Sequence, residues 1–429
     1  MTRVEDLLTQ AGAVRARLAN PRELRSADEA ARVAGEFIAL EHQIRWLPGA
    51  AVQLRRHIVT PLIPGTPNHA FMAGLVLARW SPDGTAATLL DAARLDDVWC
   101  ARMARLNLRW LAPTRENGRT LAEALAERTA TDPVPWHVVA EALAHQRDVA
   151  LMPPIVGYLT GTDAQANRAW VLISLVALMP EPGLDVAATL AAAPAGALPV
   201  TATGLRAAYG HHDAFERTQR ICRERGPDWH TALYWLGRIP HPEAMALQID
   251  GLQHPDPAVR ADLVSSLVLV GSPAALRAAA DALMDPDPAV VDTATSHMAQ
   301  FIGPAFDEMN WMWDKDGRLD NASRARLRAE ADRRIAALDD GRRYLLGQPI
   351  EPHGLIDLLY IGFQPSHTWV NFIATTGAVA GYSPHMDALG NLESLHRLEE
   401  WHAAHASAFI PGAWYWFGAR VRARAPHRG

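Results

Sequence analysis

His254-Pro-Asp-Pro-Ala-Val-Arg260 recurs 31 residues later as Asp285-Pro-Asp-Pro-Ala-Val-Val291, and the same shift aligns Leu252 with Leu283, Leu267 with Met298 and Val270 with Phe301. A shift that superposes a turn and an apolar pattern together marks one supersecondary unit used twice. Asp256 and Asp287 are suited to cap helix N-termini, and each precedes a proline at the first helical position, where the missing N–H costs nothing. Val259, Leu263, Leu267 and Val270 then follow at spacings of four, four and three, an apolar stripe that Gly271 closes as a C-cap. Ser272-Pro273 opens a second helix with Leu276, Ala279, Ala280 and Leu283 inward, and the next unit starts at Asp287-Pro288. Two antiparallel helices per unit predict an all-α solenoid.

The same beat runs toward the amino terminus with weaker punctuation, placing first-helix starts near Pro67, Asp97, Pro135, Asp163, Pro199, Asp228 and Asp256. One helix pair cannot bury its apolar face alone, so stacking against neighbours is what stabilises such units. About eight pairs are expected up to Gly303, with the amphipathic stretch 26–46 as a cap or first pair. After Gly303 the rhythm breaks. Residues 304–340, with Trp311, Trp313 and a charged helix over 321–338, read as an insertion, and 344–350 as an extended linker. Helices are expected over 352–361 and 366–376, and two closing helices over 386–405 and 413–424. The expected organisation is therefore repeats over 1–303, insertion and linker over 304–350, and further repeat and closing helices over 351–429, about eight to ten helix pairs in all.

The units at Asp256-Pro257-Ala-Val-Arg260 and Asp287-Pro288-Ala-Val resemble HEAT repeats, in which the acid and the arginine bridge adjacent turns. Here Asp256 and Arg260 are kept, but Val291 stands where the next arginine would be. The segment Arg343-Tyr-Leu-Leu-Gly347-Gln-Pro349, with Leu355, Leu359 and Gly362, is similar to a stretch in a bacterial family of HEAT-like proteins, some encoded beside type VI secretion genes. That resemblance implies a partner protein: a secretion effector or a component of the secretion locus, with this chain as accessory, adaptor or immunity protein.

Composition narrows the classes further. With 429 residues, 49% hydrophobic and 21% charged, the chain can bury a large core. Forty-one basic against 47 acidic residues give a net charge of −6, so no global positive field gathers nucleic acid or anionic lipid. Cys100 and Cys222 lack a disulfide framework or zinc-site spacing and read as buried thiols in a reducing compartment. The acids at Glu5 and Asp6 oppose a signal peptide, and the longest apolar run, residues 169–179, falls short of the roughly 20 residues a spanning helix needs. A cytoplasmic protein without membrane contact is expected. Lysine occurs once, at Lys315, as expected of a bacterial genome of high GC content.

Chemistry-bearing patterns are few. His396, Glu399, Glu400, His402 and His405 fall into two pairs about 120° apart around a helix, poorly placed for one ion. Asp314, Asp316, Gly317 and Asp320 have the flavour of a calcium loop, but Met312 and Ser323 occupy the outer ligand positions. Arg102, Arg105 and Arg109 share a helix face that reads as salt-bridged rather than as a phosphate track. No nucleophile–base grouping appears, so no catalytic residue, metal or cofactor is expected. Among 14 tryptophans, Trp311, Trp313, Trp414 and Trp416 stand at alternate spacing in short segments, which predicts exposed rings and makes them candidate protein-binding anchors. The expected function is a non-catalytic protein-interaction scaffold; the rival is a HEAT-type nucleic-acid enzyme such as a DNA glycosylase, which would need a basic groove.

Overall fold

The structure, a computed structural model, describes residues 3–18, 26–59, 69–96, 98–129, 133–161, 167–193, 196–303, 306, 311–312, 318–362, 364–383, 386 and 388–421. Its described residues form an all-α fold with two minimal hairpins. The helices are α1 (Arg3–Leu18), α2 (Ala27–Arg45), α3 (Ala50–Ile58), α4 (His69–Trp80), α5 (Thr85–Ala93), α6 (Val98–Leu108), α7 (Arg115–Ala126), α8 (Trp136–Ala144), α9 (Met152–Thr160), α10 (Arg168–Leu178) and α11 (Pro180–Ala191). They continue as α12 (Ala197–Ala208), α13 (His212–Glu224), α14 (Trp229–Leu236), α15 (Pro242–Gly251), α16 (Pro257–Val270), α17 (Pro273–Asp281), α18 (Pro288–Ile302), α19 (Asn321–Ile335), α20 (Pro352–Tyr360), α21 (Pro365–Thr376) and α22 (Ala388–His405).

From α4 onward the helices stack as antiparallel pairs, and several first helices are buried along most of their length. In α10, for example, every residue from Val171 to Leu178 is buried, as fits a first helix covered by neighbours on several sides. The expected starts near Pro67, Asp97, Pro135, Asp163, Pro199, Asp228 and Asp256 correspond to α4, α6, α8, α10, α12, α14 and α16. Capping at the decisive repeat is as its chemistry dictates. The Asp256 carboxylate accepts from Ala258 N at 2.8 Å and that of Asp287 from Ala289 N at 2.9 Å, each with proline in the first turn. Gly271 closes α16 at φ +70°. A Cβ there would lie 2.0 Å from the Tyr344 carbonyl oxygen, so both the left-handed backbone and the close approach require glycine.

Contacts divide the chain into two compact units, one of residues 1–190, 360–363 and 380–396, the other of 191–359, 364–379 and 397–429. This differs from the division at 303 and 350 expected from rhythm. Within the second unit α19 packs on α17 and α18, with Leu327, Ala331 and Ile335 joining their core. The charged helix thus occupies the place of a second helix in the pair begun by α18. Its apolar stripe is one residue wide, at spacing four, and is diluted by arginines and acids.

The closing helix expected over 413–424 is corrected. Tyr415–Trp416 and Ala419–Arg420 pair as an antiparallel hairpin, as do Tyr344–Leu345 and Gln348–Pro349 in the segment read as extended. Each turns through two residues with positive φ, Leu346 and Gly347 in one and Phe417 and Gly418 in the other, the backbone of a tight two-residue hairpin loop.

Candidate functional site

In the first unit the C-terminal end of a first helix carries an arginine twice: Arg79 near the end of α4 and Arg109 just past α6, each followed by tryptophan. Both are held from behind by a carboxylate with 1% exposure. Arg79 Nε donates to Glu41 Oε2 at 3.0 Å, and Arg109 Nε to Glu141 Oε2 at 2.7 Å. Glu41 has a second guanidinium, that of Arg45, on its other oxygen. Burial raises the Glu141 carboxyl against the pull of Arg109, and its Oε1 has no hydrogen-bond partner among the described residues. Both arginines therefore engage through Nε, which leaves their terminal nitrogens outside these pairs.

Those two arginines line an open cleft of about 420 Å³ within this unit. Trp110, Ile38, Met386, Leu389 and Leu392 supply apolar wall, and His145, Arg147 and Glu393 polar rim. Gly390 lets α22 close on the wall: a Cβ there would meet Trp110 at 2.9 Å. The Arg15 guanidinium lies 5.4 Å from the Trp110 ring centroid. A larger cleft of about 990 Å³ lies beside α7, and two of its polar groups serve the fold. Glu116 there accepts from Gly84 N at 2.8 Å and Gln146 from Thr114 N at 3.1 Å.

The second unit carries a buried polar seam. Arg238, 2% exposed, reaches both oxygens of Asp262 at 3.4 Å, donates to His367 Nδ1 at 3.0 Å and stacks 3.2 Å above the Tyr234 ring. His367 Nε2 lies 3.3 Å from Asp262 Oδ1, so a neutral ring protonated at Nε2 suits both neighbours. Burial, then the Arg238 charge, lower His367 to about 4. For Asp262 burial alone would raise the carboxyl, but Arg238 and His367 outweigh it and hold it well below the usual range. Next to this group, Ser265 Oγ and Gln364 Nε2 both approach His297 Nε2, at 2.9 and 3.0 Å, and burial lowers His297 to about 4. The Ser265 hydroxyl also lies 3.3 Å from Ala261 O, so its single proton is shared between that carbonyl and His297 Nε2. The arrangement ties α16, α18 and the start of α21 together and leaves that nitrogen already shared, which is poor preparation for abstracting a proton.

Arg343 is completely buried. Its Nε donates to Val270 O at 2.9 Å, and Nη2 to Leu269 O at 3.3 Å and Asn371 Oδ1 at 3.2 Å. The guanidinium thus caps the open carbonyls of α16, where the helix dipole favours a cation. Burial lowers it to about 9, which leaves it charged at neutral pH.

The candidate anchors are distributed otherwise than their spacing suggested. Trp414 and Trp416 are 4% and 7% exposed, a correction to the exposed rings expected of them. A hairpin, unlike a helix, sends residues at alternate positions to the same face. Trp414 enters the core of α16–α19 beneath Arg343. Trp416 sits among His212, Phe215 and His241 and donates from Nε1 to Ala207 O at 3.1 Å. Trp311 is half-buried, stacked 4.8 Å from Phe306 and bonded through Nε1 to Phe306 O at 2.7 Å. Trp313 and residues 314–317 lie outside the described residues; Asp320, from the same acidic turn, caps α19 through Ser323 N.

His402 stacks on His353 and His405 on Trp401, and among the described residues no three metal-ligating side chains converge. Arg105 donates to Ala93 O and Arg109 pairs with Glu141, the salt-bridged alternative to a phosphate track. Arg260 forks onto Asp285 at 2.8 and 2.9 Å, bridging successive repeats through an acid at the position of His254 and not through the capping aspartate that the HEAT resemblance implied. Cys100 and Cys222 are buried, and burial pushes the Cys222 thiol up to about 12. No described helix is long and apolar enough to cross a membrane.

A family model for HEAT repeats matches residues 230–299, which run from α14 into α18. Over those residues the chain is similar to HEAT repeats. Similar solved structures include the X-ray structure of YibA from E. coli, at 14% identity and TM-score 0.32, covering 61% of this chain and 95% of that one. Another is human deoxyhypusine hydroxylase in complex with glycerol, at 18% identity and TM-score 0.25, covering 58% and 94%. No curated protein matches the chain.

Proposed function

We infer that this chain is a non-catalytic scaffold that binds another protein, and that the cleft lined by Arg79, Arg109 and Trp110 is where the partner is read. HEAT repeats generally serve as protein-interaction scaffolds. The observation that carries the reading here is the pair of guanidinium groups fixed by buried carboxylates at the edge of an open, partly apolar cleft. Fixed donors beside apolar wall are the ingredients of a recognition site, because orientation is set before the partner arrives. The similarity of residues 343–349 to a family sometimes encoded beside type VI secretion genes makes a secretion effector or locus component the first partner to test, in the cytoplasm of a bacterium. In this chain, however, Arg343 serves to cap α16, so that stretch supports the fold rather than contacting the partner.

Affinity purification of the full chain from its native host, followed by mass spectrometry, tests the reading. A protein recovered in stoichiometric amount supports it. Turnover of a nucleic-acid or small-molecule substrate by the purified chain, as a DNA glycosylase would show, overturns it.

A further inference from the structure

Resting on that scaffold reading, we propose that the cleft of the first unit receives a carboxylate of an extended peptide segment, with an apolar neighbour of that carboxylate lying against Trp110 and Leu392. The guanidinium groups of Arg79 and Arg109 are oriented by Nε contacts to Glu41 and Glu141, so the edge bearing two terminal nitrogens is free of the carboxylate behind it in both. Their side chains retain 22% and 24% exposure, enough to meet a ligand but shielded enough to strengthen the contact. Two parallel donors on a planar fork match the two oxygens of a carboxylate.

The charge balance favours a single carboxylate over a polyanion. Around the cleft Arg79, Arg109, Arg147 and Arg45 stand against Glu41, Glu141 and Glu393, and Arg147 donates to Gly381 O, so the cleft carries directed donors with only a small positive excess. Nucleic acid, which binds through accumulated positive charge, needs the reverse. The apolar wall adds what phosphate or acetate alone would not use: a surface against which a side chain of the same segment loses water.

Two sources could supply the group, a C-terminal carboxylate or an Asp or Glu side chain. Fluorescein-labelled hexapeptide libraries in three forms separate them: free C-terminus without acidic residues, amidated C-terminus with one Glu, and amidated C-terminus without acid. Fluorescence anisotropy with the full chain should show binding in one or both carboxylate forms and none in the third, and the form that binds names the source. Arg79→Gln and Leu392→Glu should each weaken it by about tenfold or more while the chain stays folded with its melting temperature nearly kept. Glu393→Gln should tighten it by about twofold, a gain that damage to the fold would not produce. Equal binding of the acid-free amidated form, binding in no form, or tighter binding of a short single-stranded oligonucleotide would each overturn the inference. The scaffold reading is judged separately: a native partner retained in full by Arg79→Gln and Leu392→Glu leaves the scaffold standing and removes the carboxylate site.

Discussion

Arg79 and Arg109 in the first unit, and Arg238 in the second, occupy equivalent places at or just beyond the end of a first helix, yet their surroundings differ. The first two keep about a fifth of their side chains exposed and border a cleft, whereas Arg238 is 2% exposed and spent on Asp262, His367 and the Tyr234 ring. At the end of α16, where the chain turns at Gly271 with no arginine of its own, Arg343 arrives from a hairpin to supply the guanidinium. The repeat thus offers one recurring position for a cation at the carbonyl end of a helix. What covers that position decides whether the arginine is structural or available to a partner.

The largest test falls on the covered side. Arg343→Met would leave the Val270 and Leu269 carbonyls without a donor they now share, and a buried acceptor left unpaired costs on the order of 1–3 kcal/mol. With two carbonyls unpaired but a buried charge removed, a net loss of about 3 kcal/mol is expected, read as a lower denaturant midpoint. Arg343→Lys should not restore it, because three acceptors in different directions need the fork. A midpoint unchanged in Arg343→Met would show that capping of α16 is dispensable.

Acid should separate the units next. His297 and His367 are held near 4 by burial, below the 6.5 of the unfolded chain. Between those values the unfolded state binds more protons than the folded one, so stability falls as pH drops from about 6.5 to about 4 and levels off below. The effect is at most about 3 kcal/mol per histidine. Asp262, lowered chiefly by Arg238 against its own burial, acts later: its contribution is present above about 4 and is lost as pH falls further. Denaturation midpoints between pH 7 and pH 4.5 should show this slope, and His297→Gln should reduce it. An unchanged slope in that variant would mean the imidazoles are not the titrating groups.

In the first unit, Arg109→Gln should cost about 2 kcal/mol at pH 7, because Glu141 is buried and has no other cation bonded to it. The carboxyl, already raised by burial, would rise further. A raised acid is protonated in the folded state while still ionised in the unfolded one, so the loss should shrink toward pH 5. A pH-independent loss would point to packing alone.

The two hairpins show how far the sequence could be read. Tyr344-Leu-Leu-Gly and Tyr415-Trp-Phe-Gly have the same form, a β-favouring pair followed by a two-residue loop ending in glycine. Proline at 349 opposes a helix in the first; in the second, Ala, Arg and Val in residues 413–424 imitate helical composition, and no breaker corrects them. Both hairpins dock on a C-cap glycine in the second unit: Tyr344 N donates to Gly271 O, and a Cβ on Gly377 would lie 3.4 Å from the Phe417 backbone. Such docking is tertiary and leaves no local spacing to detect. The repeat itself was legible because caps and stripes are local. The cleft was not: the recurrence of Arg-Trp at 79–80 and 109–110 is a local signal that reading Arg109 as part of a salt-bridged face passed over, and the acids that orient those arginines lie 38 and 32 residues away and follow from stacking phase.

A smaller effect is expected from the cap that punctuates the repeat. Asp256→Ala removes the acceptor of the Ala258 N–H and should cost about 1 kcal/mol. Asp287→Ala should cost about the same, because both carboxylates make the one equivalent bond, at 2.8 and 2.9 Å. A clear inequality would mean that the two helix starts are not interchangeable in the folded protein.

The smallest effect on stability should come from Arg79→Gln, and the reason lies in Glu41. Unlike Glu141, it is held by two guanidinium groups, Arg45 on Oε1 and Arg79 on Oε2, so losing one leaves the buried carboxylate still paired. Because Arg79 lies half in the cleft, part of what it gives up is exposed to water, where an ion pair contributes little. The cost should stay below about 1 kcal/mol, against about 2 for Arg109→Gln. The same substitution removes one of the two forks facing the cleft. Thermal melts and peptide titrations on one preparation of Arg79→Gln should therefore diverge, with stability nearly kept and carboxylate affinity lost. If stability falls as far as in Arg109→Gln, Arg45 does not sustain Glu41, and Arg79 belongs with Arg238 as a structural cation.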